Sequence, residues 1–157
     1  MDLIKENKEK QRRVYKGPNF YRKEWDFENL EYFEEHIEIM DEIRPGYIIN
    51  SGCANGKMFI DCKTILGTPA SKFEHTDLFI NQVYNFCLKN IEETQPYAHF
   101  DWVLSNIIIS PDGSGKMEMV DWDNVGIYQP TTILDKLHSD LESAFGEKFN
   151  EMLRTLA

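Results

Sequence analysis

The residues best suited to do chemistry fall in one stretch, Tyr97-Ala98-His99-Phe100-Asp101-Trp102-Val103-Leu104-Ser105-Asn106, with the spacing H-x-D-x-x-x-x-N. Further on comes Val120-Asp121-Trp122-Asp123. Asp101 and Asn106 bracket a short loop that leads into the apolar run Ile107-Ile108-Ile109. A second run, Met117-Glu118-Met119-Val120, follows the turn residues Pro111-Asp112-Gly113-Ser114-Gly115, which predicts an antiparallel hairpin. Such a hairpin brings Asn106 and Asp121 to the same open end. Amide and carboxylate oxygens placed there suit a hard cation such as Mg²⁺. The Asp101 carboxylate, one loop away, can accept a proton from an alcohol. A cation on phosphate oxygens and a base that positions the nucleophile are the parts phosphoryl transfer needs.

The rest of the chain must hold these groups in place. Residues 13–16, Arg-Val-Tyr-Lys, read as a short strand stopped by Gly17-Pro18-Asn19, and the polar dozen residues before them as a helix or a frayed tail. From about 20 to 40 the spacing predicts a helix, with Phe27, Leu30, Phe33 and Ile37 on one side. Tyr47-Ile48-Ile49 and Lys57-Met58-Phe59-Ile60 flank a turn ending in Asn55-Gly56, a hairpin signal. Residues 65–69 read as a linker, and 76–92 as a long helix burying Phe79, Val83, Phe86 and Ile91. A last helix from 132 carries Leu134, Leu137, Leu141, Phe145 and Phe149. The order is strand, helix, hairpin, linker, helix, hairpin, helix, which predicts a small α+β chain of two lobes joined near residues 61–69.

Taken together, the motif stretch resembles the catalytic core of the protein kinase-like superfamily. It is closest in motif to the aminoglycoside phosphotransferase and choline kinase branch, whose metal-binding motif commonly reads Asp-Trp-acidic or Asp-Phe-acidic, as Asp121-Trp122-Asp123 does here. The resemblance implies a minimal two-lobed fold, with 1–66 as a reduced small lobe and 67–157 as a helical lobe. It implies ATP and Mg²⁺ as cofactors and a hydroxyl-bearing small molecule as acceptor. Asp101 would be the catalytic base, Asn106 and Asp121 the Mg²⁺ ligands, and His99 a brace for the loop. The small lobe of that family carries a strand lysine on the phosphates and a helix glutamate paired with it. Lys16 is the candidate for the first and Glu24 for the second, with Glu28 as the alternative. Asp61-Cys62-Lys63 resembles the strand end and hinge that hold adenine by their backbone, and Gly67 the glycine that follows.

The pattern also departs from the family. No glycine precedes Lys16, and the residues ahead of it are expected to leave no room for the two strands and glycine-rich loop that cover the phosphates. Arg12, Arg13 and Lys16 are then expected to meet the phosphates instead. Little chain follows Asp121, so the substrate site is expected to be open, or completed by a homodimer or a partner protein. The alternative reading is an inactive kinase-like module that serves protein interaction. A peptide kinase fits less well, because Trp122-Asp123 follows Asp121 and an activation segment has no room.

Composition narrows the field. A net charge of -10 argues against a general binder of nucleic acid or membrane surfaces, since both are polyanions. Eight of the 17 Lys and Arg residues nevertheless lie between Lys5 and Lys23, so the start is basic and the remainder strongly acidic. The acidic residues from Glu31 to Glu42 are read as a solvated helix face. The three cysteines, Cys53, Cys62 and Cys87, show neither CxxC spacing nor a Cys/His cluster, which argues against zinc or a disulfide framework. A cytoplasmic setting without membrane anchorage is the expectation. Trp102 and Trp122 are read as anchors of their loops, and His36, His75 and His138 as scattered structural histidines.

Overall fold

The computed structural model describes residues 1–8, 11–26 and 30–157. The chain divides into two compact units, Met1–Thr64 and Ile65–Ala157.

The first unit is built on a sheet of five antiparallel strands in the order β1-β2-β3-β5-β4. The strands are β1 (Asp2–Asn7), β2 (Arg12–Lys16), β3 (Phe20–Asp26), β4 (Ile48–Ala54) and β5 (Lys57–Lys63), with helix α1 (Leu30–Ile43) between β3 and β4. Two expectations are corrected here. The residues ahead of Lys16 do have room for a hairpin: β1 runs antiparallel to β2, with Asp2 opposite Lys16 and Asn7 opposite Arg12. Gln11, which leads into β2, takes the left-handed conformation although it is not glycine (φ 49°). The first residues are therefore strand, not helix or tail, since pairing with β2 satisfies backbone groups that polar side chains alone would leave to water.

The second correction concerns 20–26, expected as helix and found as β3. Gly17-Pro18-Asn19 makes a tight reversal in which the Gly17 N–H donates to the Phe20 carbonyl at 2.9 Å. Tyr21 and Trp25, aromatics that favour a pleated surface, then pair with β2 on one side and β5 on the other, and Phe20 pairs with β5. Tertiary pairing overrides the helical spacing, which was read across what is a strand–helix boundary. The helix begins at Leu30 and buries Phe33 and Met40. Phe27 and Glu28, both assigned to this helix from the sequence, lie outside the described residues. The acidic residues Glu31, Glu34, Glu35, Glu38, Asp41 and Glu42 are all exposed. Met58, Ile60 and Cys62 on β5 join Phe33, Met40 and Tyr47 in the core. Asn55 and Gly56 both have positive φ (54° and 73°), the backbone that a two-residue hairpin turn requires.

The second unit contains β6 (Thr68–Pro69), α2 (Asp77–Thr94), β7 (Ile107–Ile109), β8 (Met117–Met119), α3 (Pro130–Phe145) and α4 (Glu147–Leu156), with single 3-10 turns at Ala70–Lys72 and Leu104–Asn106. Its small sheet runs β6-β7-β8. Part of the expected linker is thus a strand on β7. Gly67 precedes it at φ 147°, and a Cβ there would stand 2.2 Å from the Ile109 carbonyl oxygen, so only glycine lets the two backbones approach. Thr76 caps α2, its hydroxyl accepting from the Phe79 N–H at 3.1 Å. Phe79, Ile80, Val83, Tyr84 and Cys87 form the buried stripe of that helix. The single C-terminal helix expected from 132 is two helices, opened by Pro130 and broken at Gly146 (φ 66°). Ile133 takes the buried position assigned to Leu134, which is exposed. Among the described residues no helix is long and apolar enough to cross a membrane.

Candidate active site

The predicted hairpin is β7–β8, and the motif residues flank it. The Val120 N–H donates to the Asn106 carbonyl at 2.8 Å, extending the ladder by one step and setting Asp121 beside Asn106 at the open end. Asn106 is buried, and its amide nitrogen donates to the Asp101 carbonyl at 3.2 Å. That bond closes the loop from 101 to 106 and leaves the amide oxygen as the group Asn106 can offer to a cation. Asp121 is half-buried and adopts φ 59°, the left-handed region that side-chain-bearing residues seldom occupy. Trp122, the next residue and 1% exposed, is itself held in place by donating its indole N–H to the Met119 carbonyl at 3.1 Å. The two tryptophans are core anchors, as expected.

His99 links the two halves of the site. Its Nδ1 accepts from the Asp101 N–H at 3.1 Å, so the ring proton sits on Nε2 and goes to the Val120 carbonyl at 2.9 Å. The ring also packs edge-on against Trp122, with centroids 4.7 Å apart. Burial holds its pKa below the ordinary histidine value, with the Val120 hydrogen bond and the Asp101 and Asp121 charges only partly opposing. His99 is thus a neutral strut between the loop of the base and the strand end of the metal candidates, and both ring nitrogens are spent on it. The fold therefore depends on pH here. A folded pKa depressed below the unfolded value of about 6.5 gives a stabilisation that is present above that value and lost as pH falls below it. Thermal melts of the wild-type chain are expected to fall between pH 7 and pH 5. His99→Gln should melt lower at pH 7 and show a shallower dependence. An unchanged slope in the variant would remove His99 as the cause.

A further anchor was missed in the sequence. Asp140 on α3 accepts the Trp102 N–H at 2.9 Å and is itself held by Lys136 Nζ at 2.6 and 2.8 Å. It fixes the residue directly after Asp101 from a helix far away in sequence. The only local sign was a carboxylate next to Leu141 on a buried helix stripe.

The donor set suits Mg²⁺ in chemistry. Asn106 and Asp121 supply hard oxygens, and no group of three or more His, Cys, Asp or Glu gathers among the described residues. An ion that keeps waters and takes phosphate oxygens needs no more from the protein than one or two such groups. Asp123 is half-buried at the next position but one.

The residues assigned in the first unit fare differently. Lys16 is exposed at the end of β2, opposite Tyr21, and does not lie on the strand that enters α1. That strand is β3, which carries Lys23 at its centre, opposite Val14 and Ile60. Recognising the aromatic run after Gly17-Pro18-Asn19 as a strand would have found it. Glu24 is on β3 rather than on a helix. Its carboxylate meets Arg13 at 3.3 Å and Lys57 at 3.5 Å, so it is not a helix partner for a lysine. Asp61, Cys62 and Lys63 are the end of β5, a central strand. The Asp61 carboxylate is taken by Arg22 in a fork of 2.7 and 2.8 Å. The Lys63 N–H goes to the Tyr47 carbonyl at 2.8 Å, and the Thr64 N–H to Asn19 at 3.4 Å. The N–H groups of Lys63 and Thr64 are thus engaged within the unit and are not open as donors to an adenine.

No family model matches the sequence, and no curated protein is significantly similar to it. Solved structures do match. The chain superposes on aminoglycoside phosphotransferase APH(3'')-Id from Streptomyces rimosus with a TM-score of 0.68 and 12% identity, covering 99% of this chain and 84% of that one. It superposes on monomeric WbdD with a TM-score of 0.63 and 11% identity, covering 87% of this chain. A second WbdD structure, described as a bifunctional kinase-methyltransferase, matches at 0.60 and 12%, covering 85% of this chain and 34% of that one. The chain spans 37% of the length of monomeric WbdD. The fold is kinase-like, of the aminoglycoside phosphotransferase type.

Proposed function

We propose that this chain is a phosphotransferase that moves the γ-phosphate of ATP to a hydroxyl of a small molecule. The observation that carries the reading is the tie between the two motif segments through His99, which holds Asp101 and the end of β8 in fixed relation. Asp101 orients the acceptor hydroxyl and takes its proton as the oxygen attacks the γ-phosphorus. The bond from that phosphorus to the β–γ bridging oxygen breaks, and ADP leaves with the electron pair. Asn106 and Asp121 hold Mg²⁺, which supplies charge neutralisation on the phosphate oxygens when bound. Within the first unit, the strand lysine that the resemblance calls for is Lys23, central on β3, rather than Lys16. Two of the structural neighbours are, by name, a kinase–methyltransferase and an aminoglycoside phosphotransferase, which supports this reaction class.

The test is calorimetric titration of Mg-ATP into the wild-type chain beside Asp121→Asn. Binding that requires Mg²⁺ and weakens at least ~10-fold in the variant, as loss of one charged ligand implies, supports the reading and justifies an acceptor screen with sugars, amines and peptides. A second reading, a catalytically silent interaction module, is favoured by one observation: among the described residues every acidic side chain of α1 is exposed, so none serves as the inward helix glutamate. Absence of heat and of a thermal shift at millimolar Mg-ATP would decide for it.

A further inference from the structure

The segment 121–123 is tied at both ends to the three residues that precede Asp101. Ahead of it, the His99 Nε2–H donates to the Val120 carbonyl at 2.9 Å. Beyond it, Ala98 and Gly126 form an isolated antiparallel bridge. The Ala98 N–H donates to the Gly126 carbonyl at 2.9 Å, and the Gly126 N–H to the Ala98 carbonyl at 3.2 Å. Tyr128 then lays its ring on Phe100, with centroids 3.9 Å apart and planes 12° from parallel. Its hydroxyl reaches back to donate to the Asn124 carbonyl at 2.7 Å, and the Val125 N–H donates to the Trp122 carbonyl at 3.0 Å. Residues 98, 99 and 100 thus each hold one point of an arch that runs from Val120 to Tyr128, and Asp101 follows them directly.

Inside that arch Asp121 carries φ 59°. A residue with a side chain stays in that region only where its surroundings over-determine it. The β7–β8 hairpin and His99 fix the chain ahead of Asp121. Behind it, Trp122 is anchored in the core, and the Ala98–Gly126 bridge and the Phe100–Tyr128 stack return the chain to the loop of the base. Resting on the reading of Asn106 and Asp121 as Mg²⁺ ligands, we propose that Tyr128 is a positioning residue for the metal. Its stack on Phe100 closes the arch and keeps the Asp121 carboxylate in register with Asn106. The ring does this rather than the hydroxyl, which bonds only within its own turn. Phe100 and Tyr128 are half-buried, while Ala98, His99, Trp102 and Trp122 make the buried part of the site. Opening the stack therefore loosens the arch and leaves the core packed.

The test is made on the full chain. ATP is titrated calorimetrically, with excess Mg²⁺ and again in EDTA, into wild type, Tyr128→Leu, Tyr128→Phe, Phe100→Leu and the double variant Phe100→Leu, Tyr128→Leu. Amide hydrogen exchange is followed at residues 121–126, with the amides of α2 reporting global folding. Tyr128→Leu is expected to weaken Mg-ATP by about 3- to 10-fold, the worth of a stacked aromatic pair, and to leave ATP in EDTA within about twofold. Exchange at 121–126 should quicken while α2 stays protected. Tyr128→Phe should restore both. Phe100→Leu should match Tyr128→Leu, and the double variant should be no worse than either, because the two rings make one contact. Equal losses with and without Mg²⁺ in Tyr128→Leu would make the residue structural only and overturn the proposal. Unchanged exchange at 121–126, or a Tyr128→Phe as weak as Tyr128→Leu, would overturn it too. If Mg²⁺ strengthens ATP binding as much in Tyr128→Leu as in wild type, the arch falls and the metal reading stands. If wild type gains nothing from Mg²⁺, the metal reading falls and takes the proposal with it.

Discussion

Asp101→Asn should cut phosphoryl transfer by about 10²–10⁴-fold while leaving Mg-nucleotide binding in place. The substitution keeps the shape of the side chain and removes the proton acceptor. General-base catalysis contributes about 10²–10⁴-fold, so that is the expected loss in turnover once an acceptor is found. The backbone of residue 101 is what the fold uses: its N–H serves His99 and its carbonyl serves Asn106. The carboxylate has no such duty among these bonds, so stability should change little. The comparison to make is kcat against nucleotide affinity in wild type and variant. A variant that loses nucleotide affinity as severely as Asp121→Asn would place Asp101 with the metal ligands. A variant with undiminished turnover would remove it from the chemistry.

The largest effect on stability is expected at the pair Arg22–Asp61. Asp61 is 4% exposed and sits on the central strand β5, and its two oxygens are taken by one guanidinium that also lies 4.0 Å from the Phe59 ring centroid. The Asp61 hydrogen bond keeps the Arg22 pKa above its ordinary value, although desolvation works the other way. Removing one partner strands a buried charge. Arg22→Ala is expected to cost about 3 kcal/mol, the lower end for breaking a buried pair, because the Arg22 side chain keeps some contact with solvent. The double variant Arg22→Met, Asp61→Leu should recover most of it, since no charge is then left without a partner. Urea unfolding of the three chains measures this. A double variant no more stable than Arg22→Ala would show that the stranded charge is not the cause of the loss.

Arg22 and Asp61 also show where sequence reading stops. They are far apart in the chain, and nothing local marks either as a partner. Asp61 read well as part of a hinge because Asp-Cys-Lys follows a strand. That the strand is central, with its last amides engaged by Tyr47 and Asn19, depends on neighbours from three other segments. Glu24 illustrates the opposite hazard. Its place in a run with helical spacing is real, but the run crosses a strand, and the pairing of β3 with both β2 and β5 outweighs the local pattern.

The local features are legible in the chain alone: the H-x-D-x-x-x-x-N spacing, the apolar strands on either side of Pro111-Asp112-Gly113, the Asn55-Gly56 turn and the long helix after Thr76. Each depends on residues close in the chain, where spacing and turn chemistry specify the backbone. It takes the folded chain to show that the first residues pair as β1, that Lys23 rather than Lys16 occupies the strand entering the helix, and that Asp140 holds the loop after Asp101. Those outcomes turn on strand register and on contacts between distant segments, and a hydrogen bond between residues 38 positions apart leaves no periodic trace in the sequence that makes it.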